Sequence, residues 1–164
     1  MSITILKNYK TPRYKEFKEL VMTDTFPWIY QNSGTGIFNY CHGLLSRPDG
    51  KYSEVLSEYA EFGMSVVAEI LQHNNIQYQF FLRSAVNCIH PDNDVQSFEP
   101  HVDHDYPHIN VIIYLTNAGG KTYCGDEFHD PKEDDVILFT GEHMHWGERP
   151  KVGRRIILVT TLYT

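Results

Sequence analysis

Three observations predict a mainly β fold of the α+β class. Helical periodicity is confined to the first part of the chain, and from about residue 76 onward short apolar runs alternate with turn residues. Aromatic residues reach 13%, with eleven Tyr and nine Phe, which suits sheet and pocket surfaces better than a long helical bundle. Helices that precede the strands, rather than alternate with them, argue against βαβ units and for helices packed on one sheet. The length fits one domain, 1–164, with residues 1–76 mostly helical support and lid and residues 77–164 the β core.

The elements follow in order. A first helix is expected over residues 11–22, because Thr11 and Pro12 form a good N-cap and first-turn pair and Phe17, Leu20 and Val21 fall on one face. Residues 24–52 contain TDTFPWIY, NSGTG and SRPDG, rich in breakers, and read as loop and short strand. Trp28, Tyr30 and Phe38 in this region either cover a substrate site or pack on the core. The strongest helical pattern covers residues 53–73, with Ser53 as its cap. Val55, Leu56, Tyr59, Ala60, Met64, Val67, Ile70 and Leu71 recur there at threes and fours, and Asn74-Asn75 offers a left-handed stop. Beyond it YQFFLRSAVNCI, a segment around 99–104, INVIIYLT, TYCGDEF, DVILF, a segment around 143–147 and RRIILVTTLY read as strands. HPDND, NAGG, DPKED, TGE and RPKVG punctuate them, as in a barrel, sandwich or jelly roll.

Composition excludes several functions. A formal net charge of −7 disfavours a general nucleic-acid binder, which needs clustered Lys and Arg to neutralise phosphates. Cys41, Cys88 and Cys124 are odd in number and form no CxxC pair, so free thiols in a reducing, cytoplasmic setting are expected. The N-terminal MSITILKNYK has no basic segment followed by a long apolar run, and no apolar stretch approaches the ~18 residues of a membrane span.

Seven of the nine histidines (His90, His101, His104, His108, His129, His143 and His145) lie between positions 90 and 145. In EPHVDHDYPH, His101 and Asp103 are two apart. On a strand they would project to one face about 6.6 Å apart along the backbone, near enough for an imidazole nitrogen and a carboxylate oxygen to converge on one ion. FTGEHMHWGERPKVGRR supplies a second imidazole on a later strand. Two His and one carboxylate with open positions form the facial triad of non-haem iron(II) oxygenases. An HxD triplet alone is common by chance, as a surface His beside a solvated Asp. Arg154 and Arg155 add weight, because they open the apolar strand IILVTTLY, where an Arg needs an anionic partner and offers a two-toothed fork to a carboxylate. A hydrated strand end or a structural ion pair is the competing explanation for them. His104 and His108 either reach the mouth of the site or, the favoured reading, lie at the surface, and His90 and His129 are expected in exposed turns.

The segment from His101 to Leu162 resembles the prolyl-4-hydroxylase-like branch of the iron(II)/2-oxoglutarate dioxygenases. The resemblance rests on HVD at 101–103, IIYL at 112–115, Gly119-Gly120, PKEDDVILF at 131–139, His145 and GRRIIL at 153–158. FPW at 26–28 and LR at 82–83 add less specific likeness. The family often has Asn where this chain has Thr116, and Gly in the turn where it has Glu133-Asp134. The resemblance implies a double-stranded β-helix, or jelly roll, with supporting N-terminal helices. It also implies Fe(2+) on His101, Asp103 and His145, and 2-oxoglutarate held by Arg155, Tyr114 and Asn110, with Ile112 on the same face. The spacing to the arginine favours His145 over His143, while either Arg154 or Arg155 could face the pocket until the strand register is known. The implied activity is hydroxylation of a C–H bond with O2 as co-substrate, succinate and CO2 as co-products, and ascorbate as an accessory reductant. A prolyl or other peptidyl residue leads as substrate, a free amino acid or other small molecule follows, and a modified nucleobase comes third. The rival from another class is a cupin-like protein that binds a metal or small molecule without turnover. A metal-binding barrel of that kind needs no arginine clamp ten residues past its last His.

Overall fold

The computed structural model describes residues 3–32, 38–48 and 52–164. Its elements are β1 (Ile3–Leu6), α1 (Pro12–Val21), β2 (Ile29–Asn32), β3 (Phe38–Leu45), α2 (Ala60–His73), β4 (Phe80–Ile89), β5 (His108–Tyr114), β6 (Thr122–Cys124), β7 (Glu127–His129), β8 (Val136–Thr140), β9 (His145–Gly147) and β10 (Arg155–Tyr163). Seven strands form one antiparallel sheet in the order β1-β8-β5-β10-β4-β3-β2, and β7-β6-β9 form a second, smaller one. This is the mainly β jelly roll expected, with two helices on one side.

Alternation along the central strand β10 divides the interior in two. Ile156, Leu158 and Leu162 face the helices and share one core with Phe17, Val21, Val67, Leu71, Val86, Val111 and Ile113. Ile157 faces the other way and joins Ile89, Ile112, Tyr114, Ile137, Phe139 and Cys124 of the small sheet in a second core. The register places Ile157 opposite Asn87 and Tyr114, and Thr161 opposite Arg83 and Asn110. Residues of three strands therefore form rows on the face turned away from the helices. Against the opposite face, α2 packs through Gly63, where an added Cβ would lie 2.5 Å from Leu44 Cδ1.

The local signals resolve as follows. Thr11 caps α1 by accepting from the Tyr14 amide, and Pro12 opens the helix. Asn75, at φ 57°, ends α2 in the left-handed region. The start of α2 differs from expectation, since the helix begins at Ala60 and not near Ser53. Residues 53–56 instead follow β3: the Leu56 amide donates to Leu44, the Ser46 amide to Glu54, and Ser53 Oγ to Leu82. Val55 and Leu56 are consequently exposed. The part of the chain before residue 76 also supplies three strands, β1 to β3, to the large sheet. TYCGDEF is a two-strand hairpin, and the segment around 99–104 makes only an isolated bridge, His101 with His145. Trp28 packs on Phe26 at the helix-side core, Tyr30 lies exposed against Tyr40, and the Phe38 side chain falls outside the described residues.

Both departures from the family pattern have a structural reason. Thr116 Oγ1 donates to the Arg154 carbonyl and accepts from the Ile156 amide, tying the end of β5 to the start of β10. Asp134 stands where the turn needs a positive φ, 72°, and its carboxylate takes hydrogen bonds from Lys18 and Tyr14 and an ion pair from Lys10. Those contacts outweigh the opposing effect of burial and hold the Asp134 pKa down at about 2.

Candidate active site

His101, Asp103 and His145 converge at the mouth of the cleft between the two sheets. Their ligand atoms all lie within 4.8 Å of one another, the one such group of three or more His, Cys, Asp or Glu among the described residues. Antiparallel pairing produces the convergence, because the His101 amide donates to the His145 carbonyl at 3.0 Å and the reverse bond is 2.9 Å. His143, two residues away, is exposed, with its nearest acid, Glu142, at 4.0 Å.

The histidine tautomers follow from their neighbours. His101 Nδ1 donates to the Glu99 carbonyl at 2.9 Å, and His145 Nδ1 to the His143 carbonyl at 3.2 Å. Each Nε2 therefore turns toward the group. His145 Nε2 faces Asp103 Oδ2 at 3.1 Å. Two such acceptors directed at one another need a cation between them, either a proton or a metal ion. The 3.1 Å spacing matches adjacent corners of a coordination shell with bonds of about 2.1 Å. Asp103 is nearly buried, with its side chain 4% exposed. Burial pushes its pKa up, but the His145 ring and the charges of Arg83 and Arg47 prevail and hold the carboxyl well below the usual range. The donor set is a histidine–carboxylate–histidine face with room on the cleft side, the arrangement that suits a ferrous ion.

The cleft, about 310 Å³, runs from this group to Arg155. Arg155 is 3% exposed, and its Nη2 donates to Thr122 Oγ1 at 2.6 Å and its Nη1 to the Glu148 carbonyl at 3.2 Å. Its Nε has no partner among the described residues. The guanidinium thus meets only neutral acceptors, and no carboxylate pairs with it among the described residues. Burial lowers its pKa, and Tyr114 partly opposes this. The Tyr114 ring lies under it, with its hydroxyl donating to Thr122. Asn110, 1% exposed, has no partner for either amide atom among the described residues. Gly147 gives Arg155 its room, since a Cβ there would come within 2.6 Å of Nη1. A buried cation without an anion and a buried amide without partners are both costly unless a ligand completes them. A dicarboxylate reaching from the metal toward Arg155 fits these residues.

Arg154 does not enter this cleft; its carbonyl binds Thr116. Thr122, Arg47 and Arg83 line the cleft although the sequence pattern singled out none of them as site residues. Arg83 carried the same signal as Arg155, a charge inside an apolar strand. Three histidine expectations need correction. His108 is buried, with Nδ1 donating to the Tyr106 carbonyl, because β5 is covered on both faces. His129 is mostly covered and pairs with Asp135, and His104 is half-buried against Thr161. His90 is exposed, as expected. A larger opening of about 460 Å³ beside His104, Tyr106 and His108 contains neither the triad nor Arg155.

No protein-family model matches the chain, and no curated protein matches it in sequence. Solved structures share its fold. A 2OG-Fe(II) oxygenase family oxidoreductase from Burkholderia pseudomallei superposes with TM-score 0.76 at 13% identity, covering 99% of this chain and 85% of that one. A prolyl hydroxylase from Trichoplax adhaerens, solved with a hypoxia-inducible-factor peptide fragment, gives 0.63 at 13%, covering 99% and 83%. A prolyl-4-hydroxylase from Pseudomonas putida gives 0.58 at 12%, covering 99% and 92%. The chain therefore has the fold of the 2OG-Fe(II) oxygenases, prolyl hydroxylases included.

Proposed function

We propose that this protein is an iron(II)- and 2-oxoglutarate-dependent oxygenase that hydroxylates a C–H bond, with a prolyl or other peptidyl residue as the first substrate class to test. The observation that carries the reading is Arg155, a buried guanidinium with no acid partner among the described residues, across one cleft from a converging His–Asp–His group. A fold can host many chemistries, so the likeness to known oxygenases supports the reading without replacing the site.

In this reading His101, Asp103 and His145 hold iron, and Arg155, Tyr114 and Asn110 hold 2-oxoglutarate. When bound, the iron and co-substrate supply the oxidation by O2 that yields succinate, CO2 and a hydroxylated product. The chain's own work is positional and electrostatic. The Glu99 and His143 carbonyls fix both imidazoles with Nε2 inward. Against the effect of burial, the His145 ring and, after it, the charges of Arg83 and Arg47 favour the ionised form of Asp103. Arg155 takes the distal carboxylate with a planar fork. Ile112, Phe139 and Ile157 line the cleft and limit the water within it. Nothing in the site calls for ascorbate, and the proposal does without it. The cupin-like alternative leaves Arg155 with no role.

The test is succinate formation by the purified protein with Fe(II), 2-oxoglutarate and O2 but no prime substrate. Slow, iron-dependent succinate release is expected. A protein that binds iron but neither binds nor consumes 2-oxoglutarate would be the metal-binding barrel instead.

A further inference from the structure

Three of the chain's six arginines, Arg47, Arg83 and Arg155, line this one cleft, and Asp103 is its single acidic lining residue among the described residues. In a chain of net charge −7 the cleft has the opposite sign to the molecule as a whole. The proposed co-substrate accounts for Arg155 but not for Arg47 and Arg83.

Arg83 sits within β4 between Leu82 and Ser84, on the row that runs through Thr161 to Asn110. Its partner among the described residues is Asp103 Oδ1 at 3.5 Å, the limit of a hydrogen bond. Arg47 already holds that oxygen at 2.6 Å and also donates to the Asp103 carbonyl at 2.6 Å. One carboxylate oxygen thus faces two guanidiniums, each with five N–H donors. Gln31, Asn39 and Asn87 line the cleft with them, and Val159 and Phe98 add apolar surface. With the cleft loaded, ferrous iron and the 2-oxoglutarate dianion neutralise each other, and Asp103 neutralises one arginine. Two positive charges remain, on Arg83, whose side chain is 25% exposed, and on Arg47, 47% exposed, where an incoming anion can reach both.

We propose that the substrate supplies the missing negative charge: the molecule hydroxylated carries an oxyanion, a carboxylate or a phosphate, bound by Arg83 and Arg47. This rests on the oxygenase reading of the cleft. An unmodified internal proline in a peptide brings no such group of its own. A free amino acid, a peptide C-terminus or a phosphorylated metabolite does. Asn39 and Asn87 would then bind the substrate's uncharged polar atoms, and the apolar lining would receive its carbon skeleton.

Calorimetry on the anaerobic protein loaded with Fe(II) and 2-oxoglutarate tests this with matched pairs: L-proline and L-prolinamide, glycyl-L-proline and its amide, benzoate and benzamide, phenyl phosphate and phenol. At least one acid is expected to bind about tenfold or more tightly than its neutral twin. Arg83→Gln and Arg47→Gln should each abolish that preference; because both side chains also touch Asp103, the comparison is made at saturating Fe(II) and 2-oxoglutarate, and a variant that cannot be loaded with Fe(II) at all counts against the proposal. The responding pair identifies the oxyanion and its carrier. If no acid exceeds its twin, or if the preference survives both substitutions, the proposal falls. It falls equally if the variants lose iron and keep the preference, which would make both arginines positioning residues for Asp103. Failure of the oxygenase reading would appear earlier and separately, as a wild-type protein that takes up no iron or no 2-oxoglutarate.

Discussion

Replacing Arg155 by Ala is expected to raise the 2-oxoglutarate half-saturation more than a hundredfold, because losing one partner of a buried ion pair costs roughly 3–5 kcal/mol. Arg155→Lys should restore only part of this, since an ammonium lacks the fork. Arg154→Ala should change little, because its side chain does not line the cleft. Iron affinity, followed by anaerobic titration, should stay near wild type in all three. An Arg154 variant with the larger effect would reverse the assignment. The two candidate histidines separate in the same way: His145→Ala should lose the metal, and His143→Ala, which alters an exposed ring, should keep it. At this scale much was legible in the sequence. The HxD spacing and an arginine opening an apolar strand pointed to residues that the structure brings into one cleft. Thr122 was not legible, because a threonine gives no signal until β6 pairs with β9 and turns its hydroxyl toward Arg155. Arg83 gives the same signal as Arg155, a charge within an apolar strand, but only the paired register of β4 and β10 places it in the cleft.

Two elements outside the ligand set should influence the protein measurably. Gly147 on β9 leaves the space that Arg155 Nη1 occupies, so Gly147→Ala should weaken 2-oxoglutarate binding while sparing iron, as separate titrations would reveal. Loss of iron alone would refute that. The turn before β8 offers a pH test. The Asp134 pKa in the fold, about 2, lies below its ordinary value, so the carboxylate stabilises the fold above about pH 4 and this contribution is lost as pH falls toward 2. Asp134→Asn retains the tolerance for positive φ and removes the charge. It should cost about 1 kcal/mol near neutral pH, after allowance for solvent screening, and almost nothing at pH 2. Urea midpoints at the two pH values check this, and an equal deficit at both would exclude the charge as the cause. Element boundaries were harder to read than element types. Val55 and Leu56 continue the helical spacing of α2, yet their backbone bonds go to β3, a tertiary choice that periodicity cannot register. Ile3–Leu6 is a four-residue edge strand, too short to signal itself before β8 is there to pair with it.

The molecule as a whole should fold without its metal, because two apolar cores on either side of the large sheet supply the burial. His101→Ala and Asp103→Ala should therefore abolish iron binding and leave the circular dichroism spectrum unchanged. Adding iron to the wild type should raise Tm with concentration, by mass action on the native state alone. Collapse of either variant would show that the ligands are structural instead. The mainly β class followed from turn spacing, but the strand order did not, since β10, last in the chain, pairs at the centre of the sheet. That central position has a consequence for variation in this protein. Ile156, Leu158 and Leu162 belong to the core beneath the helices, whereas Arg155, Ile157 and Val159 line the cleft. A saturation scan of the strand should oscillate with a period of two residues. Even positions should limit how much protein accumulates in the cell, and odd positions what the accumulated protein will accept, so selection could retune one property with little disturbance of the other.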